Sequence, residues 1–292
     1  MLFFESIVVL ARWLRNLSRS DTMNAAPQSI NSVTNNATTG GQPQRRRLII
    51  DTDPGIDDSL ALLMAMQCER DGMVELAAVT VTHGNVCVDL ATRNAKAVVA
   101  LHHLWYGTPH VVPVFEGCGA PLDASKTNPF ARHVHGSSGL ADLPAEQLDE
   151  LVRLYDSHLE QQQQQQREQD QGRENVIEVE IDPSLPAAVQ QLVREAARHD
   201  PSDTSTLLEV VAVGPLSNVA LAFQRYPDVM QRLSHVYIMG GAMWGSAGNI
   251  TMLAEFNVYA DPLAWKIVVE QALVPVRRRL CHHYGECQPL SD

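Results

Sequence analysis

The sequence predicts an α/β fold in which a mostly parallel central sheet carries helices on both faces. Segments with strand patterns alternate with helical segments along the chain, and the strands are continuous apolar runs rather than alternating ones. The chain has 292 residues, of which 45% are hydrophobic, so it is long enough to bury a substantial core.

The first half of the chain contains three predicted strands. A short apolar strand at residues 48–50 runs into Asp51, and Pro54 and Gly55 form the turn that follows it. The next segment is apolar on nearly all sides, which predicts a buried helix. The elements expected after the first strand are a helix over 56–68, a strand over 75–82, a helix over 89–102 and a strand over 111–115.

The second half repeats the alternation. A helix over 185–198 precedes a strand over 207–213, and residues 214–218 open another helix. A strand over 236–239 ends at two glycines. Asp261 and Pro262 predict a helix start, with Asp as the N-cap and Pro at the first helical position.

The middle of the chain carries a run of six glutamines, Gln161–Gln166, inside a longer polar stretch. Such low-complexity sequence lacks the apolar residues that a core requires. We therefore expect a surface insertion at about residues 156–178 that does not pack and does no chemistry.

The residues before the domain have a different composition. Residues 1–20 place Arg12, Arg15 and Arg19 after an apolar stretch, which resembles a mitochondrial transit peptide if translation starts at Met1. The alternative is translation from Met23 and a cytoplasmic protein. Residues 1–44 are predicted to be a disordered leader or targeting segment, residues 45–276 the folded domain, and residues 277–292 a separate tail.

The charge balance excludes some classes of partner. The formal net charge is −12, whereas a nucleic-acid binder needs a basic face. No run of 18 apolar residues is present, so we expect no membrane partner. Five cysteines without framework spacing indicate a reduced interior rather than a disulfide scaffold.

Polar side chains follow several of the predicted strands. In open parallel sheets, ligands bind beyond the carboxyl ends of the strands. The first strand leads into Asp51, Asp53, Asp57 and Asp58, and the second into His83 and Asn85. The last strand leads through two glycines to Asn249, Glu255 and Asn257. We therefore expect one rim of the sheet to gather carboxylates and carboxamides from distant segments.

Four Asp residues within eight positions require something that offsets their repulsion. Oxygen ligands without nearby Cys favour Ca²⁺ or Mg²⁺ over zinc. Helix capping alone is the rival interpretation, but it accounts for only one or two of the acids. An EF-hand is excluded, because Leu62 occupies the position at which that loop needs a bidentate Glu.

These residues resemble the signature of the inosine–uridine-preferring nucleoside hydrolase family. DTDPGIDD at 51–58 is similar to its acidic motif, and further similar segments follow in the same order. They are VTHGNV at 81–86, HVHGSSGL at 133–140, VAVGPLSNVALA at 211–222, IMGGA at 238–242 and GNITMLAEFNVYADPLA at 248–264. The resemblance implies a Rossmann-like nucleoside hydrolase fold and hydrolysis of ribonucleosides to free base and ribose.

The resemblance also implies roles for individual residues. It implies that Asp53 is the general base. It also implies that one Ca²⁺ is bound by Asp53, by Asp58 and by the backbone carbonyl of Val213. The implied ribose and nucleoside contacts are Asp57, Asn85, Asn249, Glu255, Phe256 and Asn257, with His135 in a mobile loop that approaches the base. A nucleoside is then the small-molecule partner, and a homodimer or homotetramer the expected assembly.

The chain departs from the family after Val276. The family continues through one more strand into a segment with a His and the last metal-binding Asp, whereas this chain reads RRRLCHHYGECQPLSD. We consider a shifted or mis-spliced transcript, a truncated isoform, and a functional tail in which Cys281, His282, His283 and Cys287 bind zinc. The alternative to an active hydrolase is a truncated isoform or a pseudoenzyme that binds ribose or a nucleoside but lacks turnover, because its metal coordination is incomplete.

A phosphotransferase of the haloacid-dehalogenase type is the rival enzyme class. It also places an Asp-x-Asp motif after a strand, as at Asp51-Thr52-Asp53. The Asp57-Asp58 pair and the Ala254–Asn257 segment have no role in that chemistry.

Overall fold

The computed structural model describes residues 45–108, 110–141, 143–169, 179–203, 205–242 and 248–272. The predictions for the leader at 1–44, the end of the polar insertion at 170–178 and the tail at 277–292 lie outside these residues. Within them, no helix is both long and apolar enough to cross a membrane.

The described residues form alternating strands and helices, as predicted. The strands are β1 (Arg45–Thr52), β2 (Glu75–Val81), β3 (Val114–Glu116), β4 (Thr206–Ala212) and β5 (His235–Ile238). The longer helices are α1 (Ile56–Arg70), α2 (Val88–Tyr106), α4 (Ala145–Gln169), α5 (Ala187–Arg198), α6 (Ser217–Arg225) and α9 (Pro262–Ala272). Three short helices complete the set, α3 (Arg132–His135), α7 (Pro227–Met230) and α8 (Phe256–Ala260).

The five strands form one parallel sheet in the order β3-β2-β1-β4-β5. Successive side chains of β1 point to opposite faces: Leu48 and Ile50 join the core under α1, α2 and α4, whereas Ile49 joins the core under α5, α6 and α9. Both faces of the sheet are therefore buried, which is why its strands are continuous apolar runs. The predicted fold class is confirmed.

The third strand is shorter than the sequence suggested and begins at Val114 rather than Val111. The side chain of Gln162 explains the difference. Its Oε1 accepts from the Val111 N–H at 2.7 Å, and its Nε2 donates to the Val111 carbonyl at 3.1 Å. Both backbone groups of Val111 are thus bonded to a side chain instead of a neighbouring strand.

The prediction of a surface insertion at about residues 156–178 that does not pack is wrong for its first part, residues 156–169. Helix α4 continues through the run to Gln169. Glutamine is a good helix former, and Leu148, Leu151, Tyr155 and Leu159 recur at helical spacing and pack into the cores. Gln162 continues this face, so the run extends an amphipathic helix.

Helix α4 also closes an edge of the sheet, because β3 is an edge strand. The hydroxyl of Tyr155 accepts from the Val114 N–H at 2.7 Å, and the Tyr155 side chain is almost fully buried. Tyr155 and Gln162 thus hydrogen-bond to backbone groups at the edge of the sheet that could otherwise pair with a strand of another chain.

We expect Tyr155→Phe to lower the free energy of unfolding by about 1–3 kcal/mol, because the buried Val114 N–H loses its acceptor. Urea denaturation measures the change. Tyr106→Phe is the matched control: Tyr106 is 45% exposed, so its loss of a hydroxyl should change stability by less than about 0.5 kcal/mol. Equal effects of the two substitutions would contradict the stabilising hydrogen bond between Tyr155 and the edge strand β3.

Candidate functional site

The site lies where the order of the strands reverses. Strands β2 and β3 lie on one side of β1, and β4 and β5 on the other. The turns after β1 and β4 therefore diverge and leave a crevice at the carboxyl end of the sheet, which is the usual ligand position in such folds.

One cavity at this end is lined by every residue to which the family resemblance assigns a role, except Asp53. These residues are Asp57, Asp58, Asn85, His135, Val213, Asn249, Glu255, Phe256 and Asn257. Asp51 and His83, which were also expected at this rim, do not line it. The lining also includes residues that were not singled out from the sequence: Ala131, His133, Val134, Met239 and Ile250. His133, Val134, Met239 and Ile250 belong to the motifs quoted above, so their position in those motifs was the available signal.

The acidic turn is built by the start of α1. The Gly55 N–H donates to Asp58 Oδ2 at 3.1 Å, and the Asn85 side-chain amide donates to the same oxygen at 2.9 Å. Asp57 and Asp58 occupy the first turn of the helix, where unpaired backbone N–H groups favour negative charge. The turn thereby directs two carboxylates toward one cavity.

Asp53 lies behind the cavity wall and is only 1% exposed. Its Oδ2 accepts from the Asn85 N–H at 2.7 Å, and its backbone carbonyl accepts from the Asn85 side chain at 3.1 Å. Burial raises the pKa of Asp53 well above its ordinary value, and the nearby negative charges, Asp58 foremost, raise it further. An adjacent cation would favour the ionised form.

The donor set fits a hard cation. Asp53 Oδ1 is buried and has no hydrogen-bond partner among the described residues. Asp58 and Val213 line the cavity, and a carboxylate and a backbone carbonyl are oxygen donors of the kind that a hard cation takes. In the described part of the chain, however, no three His, Cys, Asp or Glu side chains form a metal-binding group by themselves, so backbone or amide oxygens would have to complete the coordination.

The opposite wall is organised by α8. Glu255 caps this helix: its Oε1 accepts from the Asn257 N–H at 2.9 Å, and its Oε2 accepts from Val258 at 3.2 Å. The Asn257 side chain donates to the Val213 carbonyl at 2.8 Å and to the Met239 carbonyl at 3.2 Å. The ends of β4 and β5 are therefore tied to the segment that carries Glu255.

His135 differs from the expectation of a loop residue. It ends the short helix α3, is 5% exposed, and its Nδ1 accepts from the Ile56 N–H at 3.2 Å. The ring covers Gly55, where a side chain would collide with Nδ1 at 2.7 Å. The absence of a side chain at Gly55 lets the histidine pack on the acidic turn, with its Nε2 4.0 Å from Asp57 Oδ1.

His83 is fully buried beneath the site, and burial lowers its pKa to about 4. In the unfolded chain His titrates near 6.5, so the unfolded state binds an additional proton between these values, and the contribution of His83 to stability is lost as the pH falls through this range. We expect the stability of the wild type to fall by about 2–3 kcal/mol more than that of His83→Gln between pH 7 and pH 4.5. Urea denaturation at both pH values measures the difference; a difference that is independent of pH would contradict the prediction.

The fold and this cavity define an α/β protein with an oxygen-rich pocket at the switch point of a parallel sheet. A model of the family described as inosine-uridine preferring nucleoside hydrolase matches residues 48–284. The chain belongs to this family. The match extends beyond residue 276, where the resemblance was expected to end, and it leaves the phosphotransferase alternative without support.

Named relatives and a solved structure agree with this assignment. The uridine nucleosidase 1 of Arabidopsis thaliana is 31% identical over 229 residues, which are 77% of this chain and 53% of that protein. The inosine-uridine preferring nucleoside hydrolase of Leishmania major is 31% identical over 229 residues, 78% of this chain and 58% of that protein. The structure of an inosine-guanosine nucleoside hydrolase is 28% identical with a TM-score of 0.56, over 82% of this chain and 60% of that one. This chain thus spans a little over half the length of these proteins.

Proposed function

We propose that the protein hydrolyses the N-glycosidic bond of ribonucleosides and releases a free base and ribose. The observation that carries the proposal is the lining of the cavity. Carboxylates and carboxamides from separate segments, among them Asp57, Asn85, Asn249, Glu255 and Asn257, face one space. A sugar with several hydroxyl groups matches such a set of donors and acceptors.

Cleavage of the glycosidic bond leaves positive charge on the sugar in the transition state. Carboxylates beside the ribose stabilise this charge as it develops, and they do so best in a site that excludes water. Asp57 is 6% exposed and Glu255 is 5% exposed. They supply this stabilisation and also accept hydrogen bonds from the ribose hydroxyls.

We propose Ca²⁺ as the cofactor, with Asp53, Asp58 and the Val213 carbonyl as its ligands in this chain. A Ca²⁺ held by these residues would make a neighbouring water easier to deprotonate. Asp53 is the general base that takes the proton of the attacking water as its oxygen bonds to the anomeric carbon. The bond from that carbon to the nucleobase nitrogen breaks, and the nucleobase leaves with the bonding electrons and takes a proton from solvent. Asp53 returns the proton of the attacking water to solvent before the next turnover. His135 and Phe256 contact the nucleoside from the same cavity.

The test is product analysis with the purified chain and inosine, uridine, adenosine and cytidine. We expect equal amounts of free base and ribose, and we expect 2′-deoxyuridine to be cleaved at least about 1,000-fold less efficiently than uridine, since a site that pairs a hydroxyl rejects the analogue without it. Equal cleavage of both sugars would contradict the ribose contacts. Hydrolysis of phosphomonoesters but not of nucleosides would contradict the proposed reaction.

A further inference from the structure

Two glycine turns enclose the carboxylate of Asp53. Gly84 follows β2 and Gly214 follows β4. A side chain added at Gly84 would overlap Asp53 Oδ2, and one added at Gly214 would lie 2.6 Å from Asp53 Oδ1. The backbone of one turn thus packs against each carboxylate oxygen, so the position of the carboxylate depends on the distance between the turns.

A buried hydrogen bond joins these two turns. His83 directly precedes Gly84, and Ser217 follows shortly after Gly214 at the start of α6. The His83 Nε2 and Ser217 Oγ atoms are 2.9 Å apart, although the residues are 134 positions apart in the sequence. Both side chains are fully buried, and neither lines the cavity.

Asp261 fixes the direction of this hydrogen bond. The Ser217 hydroxyl donates to Asp261 Oδ2 at 2.7 Å. Since its proton is used there, Ser217 accepts from His83, and the His83 Nε2 carries the proton. Asp261 is itself held by the N–H groups of Leu122 at 2.9 Å and Ala264 at 3.0 Å, so the bridge ends on a fixed anchor at the start of α9.

We propose that His83 and Ser217, anchored by Asp261, are positioning residues that hold the Asp53 carboxylate between the two glycine turns. They touch neither the substrate space nor the reacting atoms, and they act by fixing Asp53. Their effect on cation affinity and turnover rests on the proposed function of Asp53. Their effect on the carboxylate itself does not.

The first test reports on the position of the Asp53 carboxylate in the absence of a cation. The Asn85 N–H donates to Asp53 Oδ2 at 2.7 Å, so its amide exchange reports this contact. In EDTA, we expect Ser217→Ala and His83→Leu to speed exchange of the Asn85 amide at least about tenfold relative to the wild type. His83→Gln should keep it slow, because its side-chain amide donates from a similar position. Tyr155→Phe, a remote loss of a buried hydroxyl, is the control that lowers stability without affecting this amide.

The second test measures Ca²⁺ binding by calorimetry and nucleoside turnover with the same variants. Loss of a residue that orients a metal ligand typically costs 10- to 100-fold in affinity or activity. For Ser217→Ala and His83→Leu, we expect losses of this size in Ca²⁺ affinity and in kcat, with little change in KM. For His83→Gln, we expect Ca²⁺ affinity and kcat to return to near the wild-type values. Tyr155→Phe should match the wild type in Ca²⁺ affinity, kcat and KM.

The outcomes separate the two proposals. Wild-type Asn85 exchange in folded Ser217→Ala and His83→Leu would overturn the positioning role, whatever the activity. A wild type that neither binds Ca²⁺ nor releases a base would overturn the proposed function, while faster Asn85 exchange in the variants would still support the positioning role. If His83→Leu does not fold, Ser217→Ala decides.

Discussion

Asp53→Asn should lower kcat for nucleoside hydrolysis by at least about 1,000-fold, because it removes both the proton acceptor and a carboxylate ligand of the proposed cation. Binding of ribose should change little, since Asp53 is not among the residues that line the cavity. Asp228→Asn, which changes an exposed acid on α7, is the control and should keep the wild-type rate. A rate for Asp53→Asn within tenfold of the wild type would show that another group is the base.

The same substitution should have a different effect on stability. Burial and neighbouring charges raise the pKa of Asp53, which means that the folded protein disfavours the charged carboxylate when no cation is present. In EDTA at pH 8, we therefore expect Asp53→Asn to be at least as stable as the wild type. With Ca²⁺ the order should reverse, because only the wild type gains stability by binding it. Thermal denaturation under both conditions measures the two differences.

Gly84→Ala should reduce both stability and turnover. Gly84 has a φ of 155°, which a residue with a side chain rarely adopts, and the added carbon would overlap Asp53 Oδ2. We expect a loss of about 2–4 kcal/mol in the free energy of unfolding from strain and overlap together. We expect kcat to fall at least about 100-fold, because the carboxylate must move.

Gly72→Ala is the matched control for that substitution. Gly72 also has a positive φ, 73°, but an added carbon there would meet nothing within 4 Å. It should cost about 1 kcal/mol of backbone strain and leave turnover unchanged. Equal losses of activity in both variants would mean that backbone strain, and not displacement of Asp53, is responsible.

The sequence predicted the fold and most of the cavity for one physical reason. Apolar strands that alternate with helices form a parallel sheet, and the polar residues after those strands then meet at its carboxyl end. This reasoning predicted that Asp57 and Asp58 meet Asn85 and Glu255, although Glu255 is 170 or more positions away from the other three in the sequence. Their catalytic and binding roles remain predictions.

Other features depend on contacts that a linear pattern does not reveal. The polar composition around the glutamine run conceals the helical spacing of Tyr155 and Gln162, so the sequence predicts no helix where α4 lies. The burial of Asp53 behind Asn85 follows from the packing of Gly84 and Gly214 against it, and only coordinates show that packing. The hydrogen bond between His83 and Ser217 joins two motifs that are 134 positions apart, and nothing in either motif indicates that pairing.

The most direct test of the central claim is ribose release from inosine and uridine by the purified 292-residue chain, with added Ca²⁺ and with EDTA. We predict release with Ca²⁺, loss of release in EDTA, and recovery when Ca²⁺ is restored. Equal release under both conditions would contradict the proposed cofactor. No release from a folded protein under either condition would contradict the proposed hydrolysis by this chain.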